Sequence, residues 1–479
     1  MDQNQIPLLK KLMDHKIKKT IPFHVPGHKN GILFNGLDDA FTAFMDFDVT
    51  ELSGLDDLHE PEEVISEAQQ LLTNVYQTKK SYFLVNGSTV GNLAMILACC
   101  KEGDTVLVQR NCHKSILNGL MLANVKPIFI TPDISESTSL FSSIEPVHVE
   151  QAFARYPDIK ACIFTYPDYY GQTYKLKAII EIAHRQESIV LIDEAHGPHF
   201  QIGDPFPDSA LKLGADIVVH SAHKMLPAMT MGSYLHINSD QIERQKVEFY
   251  LSVLQSSSPS YPIMASLDIA RSYLANFSNE DITYTMEKRQ TFLDKLVDIP
   301  NLYVHPLEIG QDPLKMLIAH EDLTGYALQS VFEKHHIYPE MADPYQVLFT
   351  LPLLKQNMVF PYEAAASKIS KIFWGRMEEG HSRYAINNKV NKQEKMSELY
   401  FSYKAMLNKS AEVIPMGEAI GRIAAKMVIP YPPGIPLLLP GEKITTTHIE
   451  RLKELLLISA RFQGGGEALQ AGMVEVFIH

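Results

Sequence analysis

Four apolar runs in this sequence end in residues that can move protons, attack carbonyls or bind anions. The run 81–85 leads into Asn86-Gly87-Ser88-Thr89, and 104–109 into Arg110-Asn111-Cys112-His113. The run 188–192 leads into Asp193-Glu194-Ala195-His196, and 215–220 into Ser221-Ala222-His223-Lys224. A lysine placed directly after an apolar strand is expected to lose solvation. That favours the neutral amine, the form that condenses with an aldehyde. The plain alternative is a surface lysine opening the next loop.

Asp193 presents the complementary case. A carboxylate at a strand end needs a cationic partner or several donors. A protonated pyridine nitrogen is one such partner, and keeping it protonated makes an aromatic ring an electron sink; capping the following loop is the structural alternative. Gly87 allows a sharp bend, after which the amides of Ser88, Thr89 and Val90 open a helix. Free first-turn amides and the helix dipole together favour an anion such as phosphate, although an N-cap by Ser88 alone gives the same string. His113, His196 and His223 occupy three of the four turns and are candidates for ring stacking, hydrogen bonding or proton transfer.

The elements that must position these residues follow from periodicity. Strands are expected at 81–85, 104–109, 126–130, 161–166, 188–194 and 215–221. They alternate with helices at 61–76, 88–100, 113–123, 146–156 and 176–186, the first opening on Pro61. Short apolar strands alternating with helices indicate a mostly parallel, doubly wound α/β sheet, whose ligands bind beyond the carboxyl ends of the strands. Past 240 the pattern changes to a long helical tract around 261–275 and then to mixed elements. The polar run 376–396 reads as a linker or exposed loop, and the prolines of 428–442 forbid helix there.

The 479 residues allow two or three domains, with 46% hydrophobic and 21% charged residues in the balance of an ordinary globular protein. A formal charge of −13 argues against non-specific binding to nucleic acid or to a membrane surface. Cys99, Cys100, Cys112 and Cys162 have no C-x-x-C spacing, so they read as thiols of a reducing compartment. With neither a signal-peptide pattern nor a membrane-length apolar run, the cytoplasm is the expected location. The string DEAH at 193–196 also marks a helicase group, but the phosphate loop that such enzymes require is absent. His196 with His199, or His24 with His28, lacks the motif support of a metal site, so no metal is expected.

Taken together, the strings PFHVPGHKNG (22–31), LDDLHEP (55–61), NGST (86–89), RNCHKS (110–115), DEAHG (193–197), SAHK (221–224), SSSPSYPIMASLDIAR (256–271) and PYPPGIPLLLPGE (430–442) resemble the ornithine/lysine/arginine decarboxylase family of fold type I pyridoxal-phosphate enzymes. The resemblance spans most of the chain and matches the short members without an amino-terminal wing domain. It implies an N-terminal segment at 1–60, a large cofactor-binding domain at 61–280, a small α+β domain at 281–375 and a C-terminal family domain at 376–479. It assigns Lys224 to a Schiff base with pyridoxal 5'-phosphate and Asp193 to the pyridine nitrogen. His113 would stack over the ring and Ala195 would pack beneath it. Ser88, Thr89, Ser221 and His223 would bind the phosphate, with His196 near the phenolic oxygen.

The same resemblance implies a homodimer, or a higher homo-oligomer, in which the SSSPSY segment approaches a neighbouring subunit's phosphate. The expected reaction is decarboxylation of a basic amino acid to a di- or polyamine, with Lys224 or His223 returning a proton. Where the family commonly reads T-N-P/S-T-Y, this chain reads Thr165-Tyr166-Pro167-Asp168-Tyr169-Tyr170. Tyr166 thus replaces an asparagine and Asp168 a threonine; the new carboxylate either tunes the pocket or faces solvent. Another pyridoxal-phosphate reaction, such as transamination or decarboxylation of a different amino acid, and a cofactor-binding protein without turnover are the rival readings.

Overall fold

The computed structural model describes residues 1–479 except 35, 37, 136, 137, 139, 142, 375–394, 431–434, 458, 459 and 479. Seven strands carry the α/β part: β1 (Lys80–Leu84), β2 (Thr105–Gln109), β3 (Lys126–Ile130), β4 (Ile159–Thr165), β5 (Ile189–Asp193), β6 (Ile217–His220) and β7 (Ser233–Ile237). The chain divides into two compact units, one made of residues 1–100 and 189–277, the other of 101–188 and 278–479.

In the first unit the strand order is β1-β7-β6-β5. β5 and β6 are parallel, and β7 runs against both β6 and β1. Sequence periodicity did not reveal β7. Its residues SYLHI mix polar and apolar side chains without a regular period, yet every one is buried, and the strand has partners on both edges. Helix Gly87–Cys99 packs against these strands so closely that a Cβ on Gly91 would lie 2.7 Å from Leu84 and 2.9 Å from Val219. Only hydrogen fits there.

The helix expected from Pro61 begins later, at Val64, and runs to Tyr76. Its start is fixed from outside: the Asp56 carboxylate accepts the amides of Glu62, Glu63 and Ile65, each at 2.9 Å, and that of Ser66 at 3.3 Å. Those bonds satisfy donors that a helix start leaves open and give the LDDLHEP string its structural purpose. The long helix Tyr261–Ala275 matches expectation. Its fully buried Arg271 pairs with Asp268 and donates to the carbonyls of Gln3 (2.8 Å) and Gln5 (2.6 Å). The Leu8 amide adds a bond to Asp268 at 3.1 Å, so one buried ion pair ties down the amino-terminal helix Pro7–Ile17.

In the second unit β4, β2 and β3 are parallel, and the short strand Met396–Glu398 adds antiparallel to β3. Most of the expected polar linker lies outside the described residues, but its last residue, Met396, belongs to this strand, and Lys395 pairs with Asp133. A four-stranded antiparallel sheet, ordered 341–342, 346–350, 315–320 and 302–304, carries helices Asn279–Val297, Gly325–Lys334 and Tyr362–Trp374. Farther on, strands Ala411–Pro415 and Met473–Phe477 pair over a core that includes Leu438, Leu452 and Val476. The described part of the proline-rich stretch contains no helix; Ile429–Pro430 pairs with Phe462–Gln463. The fold is therefore α/β with mostly parallel strands and a smaller α+β region.

Candidate active site

The first unit gathers Ser88, Thr89, Val90, Asp193, Ala195, His196, Ser221, His223 and Lys224; His113 belongs to the second. Helix Gly87–Cys99 starts one residue beyond Asn86 without any side-chain cap. Ser88 is therefore not the cap. It lies inside the first turn, where its Oγ accepts from Ser221 Oγ at 2.7 Å. Gly87 takes φ +77°, a region natural to glycine, and its N–H donates to the Met231 carbonyl at 2.9 Å. Thr89 is exposed, while the Val90 side chain is buried, so only its backbone can serve a ligand. The turn is braced by Gln255, whose Oε1 accepts the Val85 amide at 2.9 Å. The result is an uncapped helix start flanked by two hydroxyls, which suits a phosphate.

Asp193 ends β5 in a buried position. One carboxylate oxygen accepts from Asn92 Nδ2 at 2.9 Å and the other from the Ala195 amide at 3.2 Å. Two fixed donors orient the group while leaving acceptor capacity for a cationic N–H. Ala195 is itself buried. Sequence reasoning missed Asn92, although it stands four residues after Ser88 and so shares its helix face.

Lys224 sits in a one-turn helix, Ala222–Met225, rather than a loop, and is half-buried. Its Nζ lies 2.8 Å from Nε2 of the buried His196. His223 bonds the Gly232 carbonyl twice, through its amide at 3.2 Å and its ring Nδ1 at 3.0 Å. A carbonyl only accepts, so Nδ1 carries a hydrogen.

In the second unit His113 N-caps helix Lys114–Ala123, its Nδ1 accepting the Ser115 amide at 3.3 Å. Three residues earlier the Arg110 guanidinium grips Glu442 (2.8 Å) and the Pro436 carbonyl (2.9 Å), joining the RNCHKS string to the end of the proline-rich one. The departure from the family pattern has a structural role. Tyr166 is buried edge-on to Tyr174. Asp168, buried as well, accepts the amides of Tyr170 and Gln172 at 2.9 Å each. Burial pushes its carboxyl up to about 7 despite those amides and Lys315. Among the described residues no group of three or more His, Cys, Asp or Glu could hold a metal ion.

A lysine, an oriented aspartate and an open helix start on the turns after strands of an α/β fold define the fold type I class. The model of the Orn/Lys/Arg decarboxylase major domain matches residues 6–305, and that of the family's C-terminal domain matches 385–471. The chain therefore belongs to the Orn/Lys/Arg decarboxylase family. It is 43% identical over 466 residues to the uncharacterized protein YaaO of Bacillus subtilis (strain 168), covering 96% of each chain. It is 32% identical over 481 residues to the arginine decarboxylase of the same organism, covering 97% of this chain and 96% of the relative. Among solved structures, the lysine decarboxylase LdcF of Francisella novicida superimposes with a TM-score of 0.82 at 20% identity, covering 99% of this chain and 82% of that one.

The residues present fit the pyridoxal phosphate that this family implies. The uncapped start of Gly87–Cys99 and the Ser88–Ser221 hydroxyl pair suit its phosphate, and buried Asp193 suits its ring nitrogen. Among the described residues no helix is long and apolar enough to cross a membrane.

Proposed function

We propose that this chain decarboxylates a basic amino acid, lysine, arginine or ornithine, to the corresponding amine, with pyridoxal phosphate held covalently by Lys224. The observation that carries the reading is the 2.8 Å approach of Lys224 Nζ to buried His196, within the unit that also orients Asp193. Family membership and the arginine decarboxylase relatives support the substrate class. When bound, the cofactor supplies an electron sink for the pair left at Cα as carbon dioxide departs.

This chain's residues do the rest. Asp193, steered by Asn92 and the Ala195 amide, holds a proton on the ring nitrogen. The helix-start amides of 88–90, with Ser88, Ser221, Thr89 and His223, bind the phosphate. His196 and Lys224 share a proton between Nε2 and Nζ, so Lys224 can offer a neutral amine. Lys224 or His223 then returns a proton to the substrate Cα. Ala195 packs against one ring face, and a stacking role is proposed for His113. The working domain division remains 1–60, 61–280, 281–375 and 376–479. The active form is a cytoplasmic homodimer or higher homo-oligomer whose SSSPSY segment reaches a neighbouring site.

The test is a panel of amino acids assayed for carbon dioxide and for amine, together with borohydride reduction and peptide mapping. The expected result is amine formation from one basic amino acid and a reduced adduct on Lys224. Keto-acid production instead would make this an aminotransferase. An adduct at Lys224 with no turnover of any amino acid would make it a cofactor-binding protein.

A further inference from the structure

The opposite face of the same strands carries buried polar side chains that the chemistry above leaves unused. Successive residues of a strand point to opposite faces. Asp193 meets Asn92, whereas Glu194 turns the other way. Glu194 Oε2 accepts from Ser209 Oγ at 2.8 Å and lies 2.7 Å from His220 Nε2; its Oε1 accepts the Ala210 amide at 2.9 Å. The line continues from His220 Nδ1 to His236 Nε2 (3.0 Å), from His236 Nδ1 to Ser81 Oγ (2.8 Å), and from Ser81 Oγ to Thr78 Oγ1 (2.8 Å).

Ser81 stands directly opposite His236 in the ladder, and His220, paired with Tyr234, stands two positions along and so on the same face. The line thus crosses the four strands β5, β6, β7 and β1. Glu194, His220, His236 and Ser81 are all fully buried. The Tyr76 ring covers both imidazoles, at centroid distances of 5.0 and 4.4 Å.

Such a chain has a direction, because each neutral imidazole carries a single N–H. With Glu194 as a carboxylate, His220 donates from Nε2 and accepts at Nδ1 from His236 Nε2–H. His236 Nδ1 then accepts from Ser81, and Ser81 accepts from Thr78. The Ser209 hydroxyl, the Ala210 amide and His220 converge on one carboxylate, which marks it as the acceptor end. Burial and neighbouring His220 hold His236 well below its ordinary pKa, so its ring is neutral.

We propose that Glu194 is a positioning residue for Lys224 and Asp193, acting as the acceptor end of a directed relay through His220, His236 and Ser81. The proposal rests on the reading of Lys224 given above. Glu194 ties two functional turns together by both its backbone and its side chain. Its N–H donates to the Val219 carbonyl (2.9 Å), its carbonyl accepts from Gly197 (3.0 Å), and its carboxylate holds His220, the residue before Ser221. The Lys224–His196 contact bridges those same two turns. A relay with reversed or missing direction therefore shifts Lys224 relative to His196.

The experiment uses the full chain and Glu194→Gln, a near-isosteric change that places a donor where a carboxylate accepted. In histidine-labelled protein without cofactor, long-range 15N–1H spectra should show His220 and His236 neutral and protonated at Nε2. In the variant both protons should move to Nδ1. With pyridoxal phosphate added, condensation at Lys224 should be about tenfold to a hundredfold slower in the variant, the scale for outer partners that orient a reacting group. The melting temperature should change little. Condensation as fast as in the parent protein, or a charged ring at His220 or His236 in the parent, would overturn the proposal. Should Glu194→Gln fail to fold, Ser81→Ala removes the far donor without touching either turn. It should slow condensation about threefold, the scale of one neutral hydrogen bond, and an unchanged rate there overturns the proposal equally. No condensation at Lys224 in the parent protein would be a failure of the functional reading itself, seen without any variant.

Discussion

Two buried aspartates stand at or just past strand ends in this molecule, and each accepts the amide of the residue two positions later: Asp193 from Ala195, Asp168 from Tyr170. Residue type and local turn are the same. What differs is the second donor. Asp193 takes the side-chain amide of Asn92, which belongs to a separate helix. Asp168 takes the amide of Gln172, within its own loop. A carboxylate held from outside its loop is aimed, and the turn around it carries Ala195 and His196. A carboxylate satisfied by its own loop shapes that loop, and burial then works against its charge. On the function proposed above, the comparison separates an acid placed to meet a ligand from one placed to fold a backbone.

The largest expected effect lies at Lys224. Lys224→Ala should remove the covalent adduct and lower turnover by about four orders of magnitude or more; full activity in that variant would end the catalytic reading of the first unit. Asp193→Asn comes next. The amide oxygen can still accept from Ala195, so the fold should hold. Loss of the charge facing the ring nitrogen should lower kcat about a hundredfold or more, and a normal kcat would show Asp193 to be as structural as Asp168. His196→Gln should cost about a hundredfold, the low end of the range for a positioned proton acceptor. If only KM responded, His196 would be a binding contact rather than a partner in proton transfer.

The strands of the α/β part were legible because full burial makes them short apolar runs between turns, and β2, β3 and β6 fall within about one or two residues of the expected bounds. β7 was not, since its Ser, Tyr and His are buried by partners that sequence periodicity does not see. The helix start at Val64 was missed for a related reason: its cap is Asp56, eight residues upstream, not Pro61. At the site, Lys224, Asp193 and His196 announced themselves by standing at the ends of apolar runs. Asn92 and Gln255 did not, because each acts through a contact across the sequence. The buried Glu194 line was hidden in the same way, its bonded neighbours lying up to 155 residues apart.

The smallest effect is the sharpest test of the comparison, and it concerns stability. In the folded chain the Asp168 carboxyl titrates at about 7, chiefly because burial disfavours its charge. An unfolded aspartate titrates at about 3.9. Between those values the folded chain keeps a proton that the unfolded chain has released, so stability falls as pH rises. The contribution is complete below the unfolded value and is lost as pH passes through about 7. An asparagine side chain at this position would keep the oxygen that accepts from Tyr170 and Gln172 but could not ionise. Asp168→Asn should therefore gain about 1–3 kcal/mol over the parent between about pH 5 and about pH 8.5, read from urea unfolding midpoints, with activity within about threefold. The gain is held below its ceiling because Lys315, whose own pKa burial lowers, would lose a nearby negative charge. A parent protein that instead became relatively more stable in alkali would show attraction to Lys315 outweighing burial, and the division drawn between the two aspartates would fail.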